Sequence, residues 1–560
     1  MPGSSASMVR SAFPAQWMRG ALAALLILVC GVAFWWRLGY LGLIDPDEPF
    51  YAQSTREMLR AQDWSTPRIF DHPQFEKPIF IYWLSMSSFR VFGENEFAAR
   101  AHCALFATLL VLATWAFGAR VFQARAGFIA AIVLATSAEF FISARMFLTD
   151  MVFAAFVCAA AFSLWLADRG ERRSEIWFLV ASAMTGLSVL TKGPLGLIFI
   201  GFGIGALYLV GRNPLPRRLL PIGLGLAIFA AIAVPWYALM VERFGTRYIQ
   251  AFFMHENVER FFRAEHPSNN HVYYYLGVLV GGSIPWSPAL FLLPRQAPGR
   301  TPWGAASRFL VWWALFCLGF LTLAQSKLPS YALFLFVPLA LLIGNAVDAQ
   351  LRQRDLGRGT TWAMAGMSLV QAGAFLIAPV VAHETAFRWP LGLVAGCLMI
   401  AFVLQVRRLS RSWIAWTAST SLVLVVVCLT WAGPKLDSIL STRRVSKKIV
   451  LEKNPSETIM TSPLLVRGIT YYTHQPVSVI STRPSPFYTP HPLPVVVGSE
   501  GLDPYLNGGG TVLCVGLARD WSRLRSTLER ASATAKDTVG NKIVARLSEL
   551  GTPASERSGP

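Results

Sequence analysis

Acidic and cationic side chains at the ends of apolar segments carry the chemistry legible in this chain. The first group is Ile44-Asp45-Pro46-Asp47-Glu48-Pro49, directly after a long apolar run. Proline fixes its own φ and disfavours helix in the residue before it, so these three carboxylates are expected on a stiff turn. They could serve a surface reaction, or cap the following helix, where a carboxylate complements the dipole. Asp150, in Arg145-Met146-Phe147-Leu148-Thr149-Asp150, opens another apolar run. Carboxylates buried in lipid are costly, whereas at a bilayer surface they meet water and can react.

Cations occupy comparable positions. In Phe75-Glu76-Lys77-Pro78, Lys77 could neutralise Glu76, anchor at the interface or bind a phosphate. The segment His255-Glu256-Asn257-Val258-Glu259-Arg260 could be a solvated helical face. Alternatively His255, with Glu76, could hold a divalent ion while Arg260 binds a phosphate. Leu190-Thr191-Lys192-Gly193-Pro194 and Gln325-Ser326-Lys327-Leu328-Pro329-Ser330-Tyr331 each place one lysine beside an apolar run. Each lysine could simply end a span. Several such cations on one face would also fit an anionic ligand gathered among them.

The elements that must position these groups are membrane helices. Of 560 residues, 54% are hydrophobic and 14% charged, too apolar for a soluble chain of this length. The 19 Trp and 38 Phe fit aromatic belts. The net charge of +19 reads as arginine in short cytoplasmic loops touching anionic lipid, not as a nucleic-acid surface, because no basic run is interleaved with a nucleic-acid motif. The seven cysteines show no metal spacing, and only Cys514 lies in the tail, so no disulfide can form within it.

A span needs ~20 apolar residues, and about thirteen such segments run between residues 21 and 432. The first, about 21–43, is too long for a signal-peptide core and is expected to stay as an uncleaved span. Alternate loops are arginine-rich, among them Arg120/Arg125, Arg169/Arg172/Arg173, Arg212/Arg217/Arg218, Arg295/Arg300/Arg308, Arg352/Arg354/Arg358 and Arg407/Arg408/Arg411. The others carry only Arg145, Lys192, Lys327 and Arg388. The positive-inside rule then puts residues 1–20 in the cytoplasm and the chemistry-bearing loops, 44–96 and 241–271, outside. The tail, 433–560, falls on the outer face too. Its apolar stretches at Thr458–Met460, Val477–Ile480, Val495–Gly498 and Thr511–Val515, with Asp520–Ala533 reading as a helix, predict a small α/β domain.

The order of segments resembles a known family. Asp47-Glu48-Pro49-Phe50-Tyr51 follows the first span and pairs acidic residues with an aromatic one. Arg56-Glu57-Met58-Leu59, Asp63-Trp64, Phe75-Glu76-Lys77-Pro78, Tyr82-Trp83 and Asn95-Glu96-Phe97-Ala98-Ala99-Arg100 follow. With Asp150, Thr191-Lys192-Gly193-Pro194 and Ser326-Lys327-Leu328-Pro329-Ser330-Tyr331, they resemble the bacterial lipid A aminoarabinose transferases. These belong to the GT-C glycosyltransferases, which include the protein O-mannosyltransferases. The resemblance covers roughly residues 20–435.

It implies a polytopic α-helical membrane protein of GT-C fold with a C-terminal periplasmic α/β domain, in a bacterial inner membrane. It also implies transfer of a sugar, such as 4-amino-4-deoxy-L-arabinose, from undecaprenyl phosphate to lipid A. Carried over, Asp47 and Asp150 are the carboxylates at the reaction centre. Lys77 and Arg260 are donor-phosphate ligands, with Tyr51, Tyr331, Lys327 and Glu48 as further substrate-binding residues. Glu76 and His255 are a pair able to hold a divalent ion, although the chemistry requires no cofactor. Phe75 stands where closer relatives have tyrosine before Glu-Lys-Pro, so this segment does not fix the sugar. Two other readings are a same-fold transferase acting on protein Ser/Thr or another envelope glycan, and a lipid-sugar flippase. A transporter keeps its ionisable residues near mid-membrane, whereas here they gather at one face.

Overall fold

The computed structural model describes residues 15–168, 173–263, 267–296, 304–353, 357–407, 410–481, 493–498, 500–506, 510–522 and 531–549. Arg169, Arg172, Arg300, Arg354 and Arg408 of the charge pattern lie outside these residues.

Long apolar runs fold as helices, two of them with an interior proline (Pro235 and Pro379), since only intrasegment hydrogen bonding satisfies the backbone in lipid. Among the described residues nine helices are long and apolar enough to cross a membrane, or up to eleven if two sharply bent pairs each count as one span. The bent pairs are Ala124–Thr136 with Ala138–Ala144 and Tyr274–Gly282 with Ser287–Pro294. Arg19–Trp35 and Leu195–Leu209 are shorter apolar helices. The expectation of about thirteen spans therefore meets nine to eleven that satisfy length and composition. The protein is a multi-pass membrane protein.

Burial separates the helices by role. Thr149–Leu166 is buried along 94% of its apolar window, so it is the central strut on which neighbours pack. Arg358–Val381 and Thr385–Arg407 expose large apolar side chains such as Val381 and Trp389, a surface suited to lipid rather than water.

The loops expected outside the membrane are mostly helical. In 44–96, helices Asp47–Arg60 and Phe80–Phe92 flank a hairpin of β1 (Arg68–Ile69) and β2 (His72–Pro73). In 241–271, the preceding helix runs on to Tyr248, broken at Gly245, and continues as a π-helix over Ile249–Glu259.

The tail forms a six-stranded mixed sheet. Its strands are β3 (Thr458–Thr461), β4 (Val477–Ser481), β5 (Val495–Val497), β6 (Val512–Leu517), β7 (Ala531–Val539) and β8 (Lys542–Glu549), in spatial order β5-β4-β3-β6-β8-β7. β3, β4, β5 and β6 are parallel, and β8 joins β6 and β7 antiparallel. The four apolar stretches expected as strands are strands. The expected helix at Asp520–Ala533 is corrected at its end: Ala531–Ala533 belong to β7, paired with Leu547–Glu549, and residues 523–530 lie outside those described. The local pattern of small and polar residues there carried no β signal. Ladder pairing with β8 overrides it.

The parallel β3–β4 pair needs a crossover, supplied by helix Val466–Thr473. Helical periodicity gives it two faces. Val466 and Ile469 pack on the sheet with Ile459 and Val479. Tyr471 joins the cluster around the Asp47–Arg60 helix. Arg56 on that helix donates to the Tyr471 carbonyl at 2.8 Å and lies 3.9 Å over the Tyr471 ring. Tyr472 accepts from the Leu43 amide at 2.7 Å. Gly468 permits the close approach, because a Cβ there would collide with Asp45 and Thr442. On the sheet side, Lys542 reaches the carbonyls of Ser438 and Ile439 at 3.0 Å each.

Candidate active site

One cavity of about 190 Å³ collects most of the chemistry-bearing residues. Asp47, Tyr51, Glu76, Lys77, Asp150, Lys192, Arg260 and Tyr331 line it, together with Glu256 and Arg467.

Asp47 is the first residue of its helix and keeps its carboxylate accessible to the cavity although protein surrounds it. Among the described residues it makes no direct ion pair. Burial raises its pKa above the ordinary carboxylate value; Arg467 and Lys77 pull the other way, and Glu76 and Asp150 add to the rise.

The neighbouring Glu48 has a different fate. It is fully buried and accepts from Arg100 Nε at 2.8 Å, the Ile44 amide at 2.7 Å and the Phe147 amide at 2.6 Å. It does not line the cavity. The expectation of Glu48 as a substrate ligand is thus corrected: successive helix residues point about 100° apart, and Glu48 points inward, where it clamps the Asp47 turn to the Arg145–Thr149 segment.

Lys77 Nζ meets Glu256 at 3.0 Å, and Arg260 Nη1 pairs with the same Glu256 oxygen. One carboxylate therefore holds two cations together and leaves that corner with net positive charge. Lys192 lies in the last turn of helix Ser174–Lys192, which stops at Gly193 with φ +83°. It pairs at 2.5 Å with Asp150, in the first turn of the central helix. Lys192 Nζ also sits 4.4 Å over the Tyr331 ring. Tyr331 is held because Gln325 and Ser326 donate to the Phe261 and Arg260 carbonyls, tying the two segments side by side. Tyr51 is buried against Phe147, with centroids 5.3 Å apart.

Lys327 is not brought to the cavity. Its ammonium donates to Asn270 Oδ1 and the Ala324 carbonyl, both at 2.6 Å, and the residue is 2% exposed. The expectation of Lys327 as a substrate ligand is corrected to a loop clasp. Glu76 and His255 each have another charged neighbour. Glu76 lies 3.6 Å from Arg467, and His255 Nδ1 lies 2.9 Å from Glu259 Oε2. His255 does not line the cavity, and no group of three or more His, Cys, Asp or Glu suited to a metal occurs among the described residues.

Two charged lining residues were not singled out from the sequence. Glu256 had a signal in its four-residue spacing from Arg260. Arg467 had none: it enters from the tail, 391 positions after its partner Glu76, on the crossover helix.

Comparison with known proteins agrees with this architecture. Residues 17–247 match the family model of dolichyl-phosphate-mannose-protein mannosyltransferases. ArnT from Cupriavidus metallidurans, solved with undecaprenyl phosphate bound, superposes with a TM-score of 0.73 at 21% identity, covering 95% of this chain and 98% of that one. The fold is therefore GT-C, with a C-terminal sheet domain. The undecaprenyl phosphate-alpha-4-amino-4-deoxy-L-arabinose arabinosyl transferase of Pseudomonas fluorescens (strain Pf-5, number 1) is 28% identical over 448 residues, 78% of each chain. The enzyme of the same name from Pseudomonas aeruginosa (strain UCBPP-PA14) is 32% identical over 409 residues, 70% of this chain and 72% of its own. By the identity and extent of that match, the chain belongs to the undecaprenyl phosphate-alpha-4-amino-4-deoxy-L-arabinose arabinosyl transferase family.

Proposed function

We propose that this protein transfers 4-amino-4-deoxy-L-arabinose from undecaprenyl phosphate to lipid A at the periplasmic face of a bacterial inner membrane. The observation that carries this reading is the pairing of Lys77 and Arg260 on one carboxylate, Glu256, in the same cavity wall as Asp47. Two cations sharing one anion make a phosphate subsite, and Asp47 provides an accessible carboxylate beside it.

Lys77 and Arg260 bind the donor phosphate. As an acceptor oxygen attacks the anomeric carbon, the bond from that carbon to the phosphate oxygen breaks and its electron pair stays on the lipid phosphate. The two cations stabilise the charge that accumulates there, so no strong general acid is needed. Asp47 orients the acceptor and takes any proton it releases. Asp150 holds Lys192 at the opening of the central helix, and Lys192 in turn lies over Tyr331. Tyr51 and Tyr331 shape the sugar pocket. One displacement inverts the anomeric centre. The displacement as written needs no metal ion.

The N-terminus lies in the cytoplasm and the C-terminal domain in the periplasm, a topology supported by the arginine-rich alternate loops. Mass spectrometry of lipid A from cells with the wild-type protein, with Asp47→Asn and without the gene tests the reading. An added aminoarabinose mass is expected with wild type alone. Unmodified lipid A in wild-type cells, with the protein confirmed in the membrane, would refute it.

A further inference from the structure

We propose that Arg467, carried into the cavity by the C-terminal domain, binds the phosphate of the acceptor beside Asp47, so that the acceptor subsite is incomplete without that domain. The inference rests on the transferase reading above and assigns the second half of the same site.

The charges in the cavity divide into groups. Lys77 and Arg260 share Glu256, a pair of cations with one anion and the natural seat of the donor phosphate. Lys192 is matched by Asp150. Arg467 stands with Glu76, 3.6 Å away, and Asp47 completes the set. An acceptor phosphate that approaches Asp47 brings a second anion to a carboxylate shielded from bulk water, and the two repel. A cation must sit between or beside them. Of the cations acting on Asp47, Arg467 acts most strongly, ahead of Lys77.

Its chemistry suits that task. The planar guanidinium has five N–H donors and matches phosphate in a two-point fork. The Phe50 ring, 4.5 Å below the guanidinium carbon, supports the plane without consuming its donors.

The tail is built to deliver this residue. Val466 and Ile469 fasten one face of the crossover helix to the sheet, and Arg56 and Leu43 fasten the other to the Asp47 segment. Gly468 packs on Asp45, two residues before Asp47. Arg467 is thereby anchored to the turn that presents Asp47.

The test is steady-state kinetics of the full-length protein with undecaprenyl-phosphate-aminoarabinose and lipid A, each varied in turn. Arg467→Ala is expected to raise KM for lipid A roughly 10–100-fold, the loss of one charge-assisted contact, and to leave donor KM within about twofold. Arg467→Lys, which keeps the charge but not the fork, should recover part of that loss. Lys77→Ala should show the converse, a rise in donor KM. Should Arg467→Ala fail to reach the membrane, Arg467→Gln and Arg467→Lys, which retain much of the stem over Phe50, carry the same comparison. An unchanged acceptor KM, equal rises in both KM values, or a rise confined to the donor overturns the inference while leaving the transferase reading intact. No transfer to lipid A by the wild-type protein overturns both.

Discussion

Replacing Glu48 with alanine separates a structural carboxylate from a substrate ligand. Glu48 is 0% exposed, and four hydrogen bonds converge on it: two from Arg100 and one each from the amides of Ile44 and Phe147. Arg100 is itself 2% exposed. Without the carboxylate it keeps only carbonyl contacts, to Leu38 at 3.1 Å and to Leu41 and Gly42 at 2.8 Å. Stranding one member of a buried ion pair costs about 3–5 kcal/mol. Each orphaned amide adds about 1–3 kcal/mol, although terms in one network do not simply sum. A loss of at least about 3 kcal/mol is a large part of the ~5–15 kcal/mol that stabilises a typical protein. Glu48→Ala is therefore expected to lower the membrane level and the unfolding temperature of the purified protein sharply. Glu48→Gln, which keeps an acceptor oxygen but no charge, should lie between it and wild type. The protein that does fold should keep near-normal KM values. Wild-type unfolding behaviour combined with a raised KM for either substrate would show that Glu48 binds substrate, and the assignment as a clamp would fall.

Two further outcomes follow from the cavity. Lys77→Ala and Arg260→Ala should each lower kcat/KM for the donor roughly 10–100-fold, and the double variant should lose less than the product, because both cations act through Glu256; a double-mutant cycle on donor kinetics measures this. Asp47 should set the acid limb of the pH–rate profile: burial chiefly raises its pKa, so the ionised form is lost on acidification at a higher pH than the ~3.9 of a free aspartate. The limb should persist in Asp47→Glu and vanish in Asp47→Asn, and a limb unchanged in Asp47→Asn would assign it to another group.

Composition and periodicity determined the membrane class of this protein, because a bilayer admits only helices whose backbone is satisfied within the segment. The β-rich patches of the tail were legible for the same local reason: strands at Thr458–Thr461 and Val512–Leu517 announce themselves by runs of apolar and β-branched residues. Residues at segment ends also marked the region of the site, since charge there is rarely tolerated without a role. What sequence could not decide was which of two adjacent polar residues faces the cavity. The sequence carried both Asp47 and Glu48 to the site, and both Lys327 and Tyr331. Tertiary packing divided them, giving Glu48 to Arg100 and Lys327 to Asn270 while leaving Asp47 and Tyr331 on the cavity wall. The same holds at long range. Glu76 is matched by Arg467 because a crossover helix 391 positions later docks against the Asp47 segment. No local pattern encodes such a contact; it exists only once the sheet fixes one face of that helix and Gly468 lets the other approach.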